Sequence, residues 1–383
     1  MEETTAVKRL CHSLHTPPLL TYLPLDVIVE ILCRLPVKLL LQLCCVCKSW
    51  NHLILKDHKF AIKHLGMSIK RHHLIITRWI QSKDLAIISY PFDSVPLHSI
   101  VTSNGTQLDY SHIIRCDWRC NRRHGLVASC DGLLCFHVND NLVSIYNPCI
   151  RKVKNLYVDF HVRPYCEYAF GYDPFIDNYK VIVVFSNNVT YDINHHKSEV
   201  KVHTLGTDSW RSIKGFPPSK VPHRRPGIFV SGTVNWLTYY NSNGLNAIVS
   251  LHLGKETYQE IPLPDYGNFN MLSLGMMRDC LCIFSRESDY SSTDVWLMKE
   301  YSNKKDSWIK LIRLPYFGDF GDSFFTKILY IFEDNNHVLL VFKELTKLKL
   351  VVYDCKNETI MSSKIEDLSI VESNVYVESL ISP

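Results

Sequence analysis

Two cysteine-bearing stretches are the first places to look for chemistry. Cys116-Asp-Trp-Arg-Cys120-Asn-Arg-Arg-His124 offers Cys116, Cys120 and His124 as zinc ligands at spacings of four. Zinc sites are usually closed by four ligands in short paired spacings, and no fourth is adjacent, so no metal is expected here. Cys44-Cys45-Val46-Cys47 contains the Cys-x-x-Cys spacing of redox and metal sites. No strand precedes it, and core packing of a leucine-rich helical stretch explains it better. The first stretch is also basic, and a second basic cluster stands at His223, Arg224 and Arg225. Guanidinium forks pair with carboxylate or phosphate. Arg119, Arg122, Arg123, Arg224 and Arg225 are therefore the candidate contacts for an acidic or phosphorylated target segment, with two solvated loops as the plainer reading.

Patterns for catalysis are missing. The chain has no Gly-x-Ser-x-Gly elbow, no His-Glu-x-x-His, no Walker loop and no Gly-x-Gly-x-x-Gly. Asp173, Asp177, Asp208 and Asp354 fall at turns, which Asp favours by bonding its own backbone. No catalytic residue, metal or cofactor is assigned, and the protein is expected not to be an enzyme. Trp210 and Trp308 each follow a polar turn, and their equivalent positions argue for packing between repeats rather than for ligand stacking.

The elements that carry these residues follow from the apolar patterning. With 383 residues and 46% hydrophobic content the chain is globular, long enough for one small domain and one large one. A net charge of +4, with both signs interspersed, gives no sign of nucleic-acid binding. The amino terminus is acidic at its start and lacks an apolar core of signal-peptide length, and no apolar run approaches the ~20 residues that span a bilayer. A soluble cytoplasmic or nuclear protein is expected, with its fourteen cysteines reduced and mostly packed as small hydrophobes.

From Leu23 to Leu65 the chain reads as short helices. Val27, Ile28, Ile31, Leu32 and Leu35 recur at helical period, Pro24 suits a first turn, and Pro36 stops the run. About 40 residues are too few to bury a self-sufficient core, so apolar surface should be left for a partner. After Leu65 short runs of β-formers alternate with turns. They recur as units whose first strands begin near Leu133, Lys180, Thr233, Leu281 and Val338, a period of roughly 50 residues that marks propeller blades. Leu74 to Ser94 is an earlier, degenerate copy, and the strand Val375 to Ile381 is expected to close the ring on it. The fold class is thus α+β multidomain: a small all-α module, then an all-β, propeller-like domain of about six blades.

Leu23, Pro24, Val27, Ile31, Leu32, Leu35, Pro36, Val37, Leu40, Val46, Cys47, Trp50 and Phe60 stand in an order that closely resembles the F-box. The later segments GLVASCDGLLCF, YNPCIRK, FGYDPFIDNYKVI, GTVNWL and YVESLISP resemble the plant F-box-associated, kelch-like domain, although the kelch double glycine is absent. The resemblance implies a disordered segment 1–20, an F-box at 21–65 and the β-domain at 66–383. It further implies docking on an Skp-type adaptor, and through it a cullin, by Leu23, Pro24, Val27, Ile31, Leu32, Leu35, Pro36, Leu40 and Trp50. The β-domain would hold an unknown protein substrate for ubiquitination, with no nucleic acid and no membrane involved. Two other roles fit the same resemblance: a non-ligase role such as a self-incompatibility determinant, and a sugar-binding or hydrolytic propeller localised by its F-box.

Overall fold

A computed structural model describes residues 23–68, 71–80, 84–91, 106–108, 125–139, 141–158, 165–186, 198–218, 220–222, 225–240, 246–265, 269–287, 292–300, 307–315, 324–332, 336–344, 347–367 and 370–383. The chain forms two compact units, Met1–Lys70 and Arg71–Pro383.

The first unit holds, among the described residues, helices α1 (Leu25–Leu32), α2 (Val37–Leu43), α3 (Lys48–Lys56) and α4 (His58–Met67). Pro24 and Pro36 stand at the N-caps of α1 and α2, where a missing N–H costs nothing. α4 starts at Asp57, whose carboxylate accepts the Phe60 N–H at 3.1 Å. Leu32, Val37, Leu40, Ile54 and Phe60 fill the interior. His64 is buried with them, its Nε2 2.9 Å from the Leu35 carbonyl oxygen, which can only accept and so fixes the proton on Nε2.

The second unit is a ring of six antiparallel sheets among the described residues. Blade 1 contains β1 (His72–Ile80), β2 (Asp84–Pro91) and β3 (Thr106–Leu108). Blade 2 is β4 (Gly125–Cys130), β5 (Leu133–Asn139), β6 (Leu142–Asn147) and β7 (Lys152–Tyr157). Blade 3 is β8 (Tyr165–Asp173), β9 (Asn178–Ser186), β10 (Ser198–Thr204) and β11 (Trp210–Ile213). Blade 4 has a split first strand, β12 (Lys220–Pro222) and β13 (Ile228–Val230), then β14 (Thr233–Tyr240), β15 (Asn246–His252) and β16 (Thr257–Ile261). Blade 5 is β17 (Phe269–Met277), β18 (Cys280–Glu287), β19 (Ser292–Met298) and β20 (Trp308–Pro315). Blade 6 is β21 (Phe324–Ile331), β22 (His337–Glu344), β23 (Lys347–Asp354) and β24 (Thr359–Asp367). The last strand, β25 (Ile370–Val377), pairs antiparallel with β1 and completes blade 1. First strands touch in succession, β25 to β4 to β8 to β13 to β17 to β21 and back to β25, which closes the ring.

The solid apolar runs follow from this arrangement. A strand inside a blade buries both faces, one against each neighbouring blade, so its side chains alternate between two cores. Val338, Leu340 and Phe342 of β22 pack with Cys282 and Phe284 of blade 5, while Leu339 and Val341 pack with Leu74 and Ile76 of blade 1. In blade 5 the other face, Leu281 and Ile283, meets Leu237 and Ile248 of blade 4.

One expectation is corrected. The units counted from Leu133, Lys180, Thr233, Leu281 and Val338 start one strand late, because those residues open or lie in the second strand of each blade. First strands such as GLVASC and the three-residue IFV are shorter or broken by small and polar residues, so they carry a weaker run. The better marker of phase is the turn between first and second strands. Asp131-Gly132, Ser231-Gly232 and Arg278-Asp279 all have positive φ at both positions, the two-residue hairpin that suits strand twist. The closing strand also ends earlier than expected, at Val377, and the residues after it leave the sheet.

Candidate functional site

The helical unit presents an apolar surface. Leu23, Val27 and Ile31 are four residues apart, so they form one line along and just ahead of α1. Val27 and Ile31 are 41% and 50% exposed, and Leu25 beside them is 64% exposed. Leu39 on α2 and Val46 after it add to the exposed apolar area. Pro24 is exposed, whereas Leu35, Pro36 and Trp50 are half-buried. Leu32 and Leu40 are 2% and 0% exposed. These two hold the helices together and have no surface to offer a partner, a correction to their assignment as docking residues.

Charge lies beside this stripe. Glu30 accepts a hydrogen bond from Lys63 of α4 and lies 3.8 Å from Arg34, one turn on. The Lys63 bond holds the Glu30 carboxyl below its ordinary range and raises the Lys63 ammonium. Burial raises the Cys33 and Cys44 thiols, while Cys45 and Cys47 are exposed, so core packing accounts for Cys44 only. Within the ring, burial pushes the Cys149 thiol up to about 12.

Of the basic residues singled out, Arg119, Arg122, Arg123 and Arg224 lie outside the described residues, as do Cys116, Cys120 and His124. Arg225 is exposed, in the break between β12 and β13. Another exposed feature of the ring is Phe175 and Ile176, at the turn joining β8 to β9. Its base is rigid: Asp173 is fully buried, 2.7 Å from the buried Lys180 ammonium, and its other oxygen accepts the Phe175 N–H. Lys180 also donates to the Leu253 carbonyl of blade 4 at 2.8 Å and lies 3.3 Å from Glu256, which pairs with Arg211.

Outer strands are joined by a recurring bond. Trp210 donates its indole N–H to the Tyr157 carbonyl of blade 2 at 2.8 Å, and Trp308 donates to Pro262, just past blade 4, at 2.9 Å. Tyr258 makes the intervening joint through its hydroxyl, 3.1 Å from the Lys214 carbonyl. Both tryptophans therefore pack between blades.

A serine, a histidine and a carboxylate do meet in blade 1. His73 lies 3.1 Å from both Ser89 Oγ and Glu378 Oε1, and Ser89 Oγ lies 3.1 Å from the Tyr376 hydroxyl. Ser89 is buried and shared with Tyr376, so this arrangement is a clamp across β2, β1 and β25 rather than a presented nucleophile. Among the described residues no group of three or more His, Cys, Asp or Glu is placed to hold a metal, and no helix is long and apolar enough to cross a membrane.

Leu25, Leu39 and Phe175 were not among the residues assigned a binding role from sequence. Leu25 and Leu39 sit in runs where apolar residues fill most helical positions, so periodicity does not tell which of them face outward. Phe175 and Ile176 did carry a signal: two large apolar residues inside a Pro- and Asp-bounded turn, where polar residues are usual.

Comparison with known proteins accounts for both units. Residues 20–61 match the F-box domain, and residues 86–383 match the F-box associated beta propeller domain. An F-box/kelch-repeat protein of Arabidopsis thaliana is 30% identical over 376 residues, 94% of this chain and 96% of its own length. The F-box protein CPR1 of Arabidopsis thaliana is 26% identical over 391 residues, covering 94% and 88%. With an amino-terminal F-box and a six-bladed ring over most of its length, the chain belongs to the plant F-box proteins that carry an F-box associated beta propeller domain.

Proposed function

We propose that the chain is the substrate-recognition subunit of an Skp/cullin/F-box E3 ubiquitin ligase, acting in the cytoplasm or nucleus. The observation that carries this reading is the line Leu23, Val27 and Ile31, exposed on the helical unit with Leu25, Leu39 and Val46 adding to the same apolar surface area. An apolar surface of that kind on a small helical unit is kept in water only at a cost, and covering it with an adaptor's helices removes the cost. The adaptor then links the chain to a cullin, and the ring holds a target protein near a charged ubiquitin-conjugating enzyme. Its contribution is effective concentration rather than bond chemistry, so the chain itself needs no catalytic group. Arg119, Arg122, Arg123, Arg224 and Arg225 are the contacts proposed for an acidic or phosphorylated target segment.

The test is titration of a purified Skp-type adaptor against the full chain and its Ile31→Asp variant. Burying an aspartate in place of an isoleucine should weaken binding at least about a hundredfold, roughly 2.7 kcal/mol. Equal affinity for the two chains would sink the reading.

A further inference from the structure

Five of the six blades are continuous in the chain, each strand tied to the next by a turn or loop. Blade 1 is different. β25 and β1 come from opposite ends of the ring-forming chain, so nothing covalent holds them together. Chain ends fray unless they are tied down.

The residues after β25 supply such a tie. Ser379, Leu380 and Ile381 have left the sheet and are nonetheless buried. The Glu378 N–H donates to the Arg71 carbonyl at 3.0 Å, and the Glu378 carboxylate lies 3.1 Å from His73, so this residue still holds blade 1. Ser379 and Ile381 hold blade 2. The Asn147 side-chain amide, at the end of β6, donates toward the Ser379 carbonyl at 3.1 Å, the Ser379 hydroxyl at 3.2 Å and the Ile381 carbonyl at 2.7 Å. Its own oxygen accepts the Cys149 N–H at 2.8 Å, which fixes the amide's orientation. Gly132, in the first turn of blade 2, completes the seat. A Cβ there would lie 2.4 Å from Ser379 Oγ and 2.6 Å from the Val377 carbonyl, and its φ of +81° is one that glycine adopts freely.

We propose that Glu378–Ile381 is a strap that holds the ring shut between blades 1 and 2, with Asn147 as its buckle. The bonds between β25 and β1 are not sufficient by themselves. Trimming the carboxy terminus back into the strap opens the ring at this joint and leaves the other blades paired. The physical reason is that the strap links the last strand to blade 2 through buried hydrogen bonds of fixed geometry, whereas the bonds of β25 to blade 6, from Lys327 to Glu372 and the Ser373 carbonyl, are only part-buried. The device accounts for Tyr-Asn-Pro and the terminal Glu-Ser-Leu-Ile-Ser-Pro together, since each segment is the other's partner. It is independent of what the ring binds.

The experiment is native-state hydrogen exchange, read by mass spectrometry, on the full chain, on its Asn147→Ala variant and on a chain ending at Val377. Asn147→Ala keeps every strand, so it is the decisive variant. Amides of β25 and β1 are expected to exchange about a hundredfold faster in it, while those of β9, β14 and β18 keep their protection. The shortened chain should show the same pattern, at least as strongly. Lys152→Ala, which removes an exposed contact to Ser382, should leave β25 unchanged. Unchanged β25 protection in Asn147→Ala would overturn the proposal. So would an equal loss of protection in all blades, which would make Asn147 an ordinary core residue.

Discussion

The two units handle apolar side chains in opposite ways. In the ring a central strand such as β22 places successive residues in two different cores, so a run of five large apolar residues is wholly buried. In the helical unit α1 has only one covered side. Leu32 faces inward while Leu25, Val27 and Ile31 face water. The difference follows from size. Each blade is enclosed by two others, whereas the four short helices among the described residues have too little volume to enclose all their leucines. The ring's central strands thus bury their own apolar side chains, and the helical unit leaves Leu25, Val27 and Ile31 uncovered.

The largest effect that could break this comparison is expected at a charged pair buried deep in the ring, Lys180 and Asp173. Lys180 sits between blades 3 and 4, 2.7 Å from Asp173, with the Leu253 carbonyl and Glu256 also in reach. Lys180→Ala would leave Asp173 buried without its partner, a loss of about 3 to 5 kcal/mol. The ring should melt well below the parent in a thermal scan, and Asp173→Asn combined with Lys180→Met should recover much of the loss. A ring insensitive to Lys180→Ala would mean that this joint is wetter than its burial implies.

Next in size is a contrast inside the helical unit. Leu40→Ala empties a fully buried site and should cost about 2 to 5 kcal/mol, melting the four helices while the ring persists. Leu25→Ser, on the exposed side, should change the melt by no more than about 0.5 kcal/mol and yet weaken adaptor binding. If Leu25→Ser melts the unit as Leu40→Ala does, the exposed surface is part of the unit's own core and the comparison fails.

These contrasts mark how far the sequence could be read. Apolar runs gave the class of both units and the number of blades, because burial on two faces leaves a signature that survives without coordinates. Blade phase was harder to read. The run in β5 outweighs the broken one in β4, and Asp131-Gly132 between them, which marks the phase, is a shorter signal. At the site the order of apolar residues was readable and their facing was not. Leu32 and Ile31 are adjacent and chemically alike, and only the packing of α2 to α4 decides that one is covered. The basic clusters show a further limit, since the charge of Arg225 is plain from sequence whereas what it faces is set by the fold.

A smaller effect sharpens the account of how blades are joined. Trp308 is buried and its indole N–H reaches the Pro262 carbonyl at 2.9 Å. Trp308→Phe keeps most of the packing and removes the donor, for a loss of about 1 kcal/mol. Trp210→Phe at the equivalent joint should cost less, since Trp210 is only half-buried and water can replace its bond. Equal losses would show that the bond, and not its burial, sets the strength of a joint.

The smallest expected effect is a dependence on pH, and it belongs to the ring. His203 on β10 is buried, its ring edge-on to Trp210 at 5.1 Å, and burial together with the nearby Lys154 lowers its pKa, against a smaller opposing pull from Asp208. An unfolded histidine takes up its proton near pH 6.5. With the folded value lower, the unfolded chain binds more protons between the two, so stability is full above about pH 7 and falls as the pH drops through 6.5. His203→Phe keeps a ring against Trp210 and removes the titration. The ring of the parent should therefore lose more melting temperature between pH 8 and pH 5.5 than the ring of the variant. The carboxylates do not confuse this window. Arg211 holds Glu256 low, and Arg313 and Lys310 outweigh the burial that would raise Asp294, so both lose their contribution only below about pH 4. Parallel pH profiles for parent and variant would show that His203 finds a partner for its charge, and that this joint tolerates a cation that the apolar joints would not.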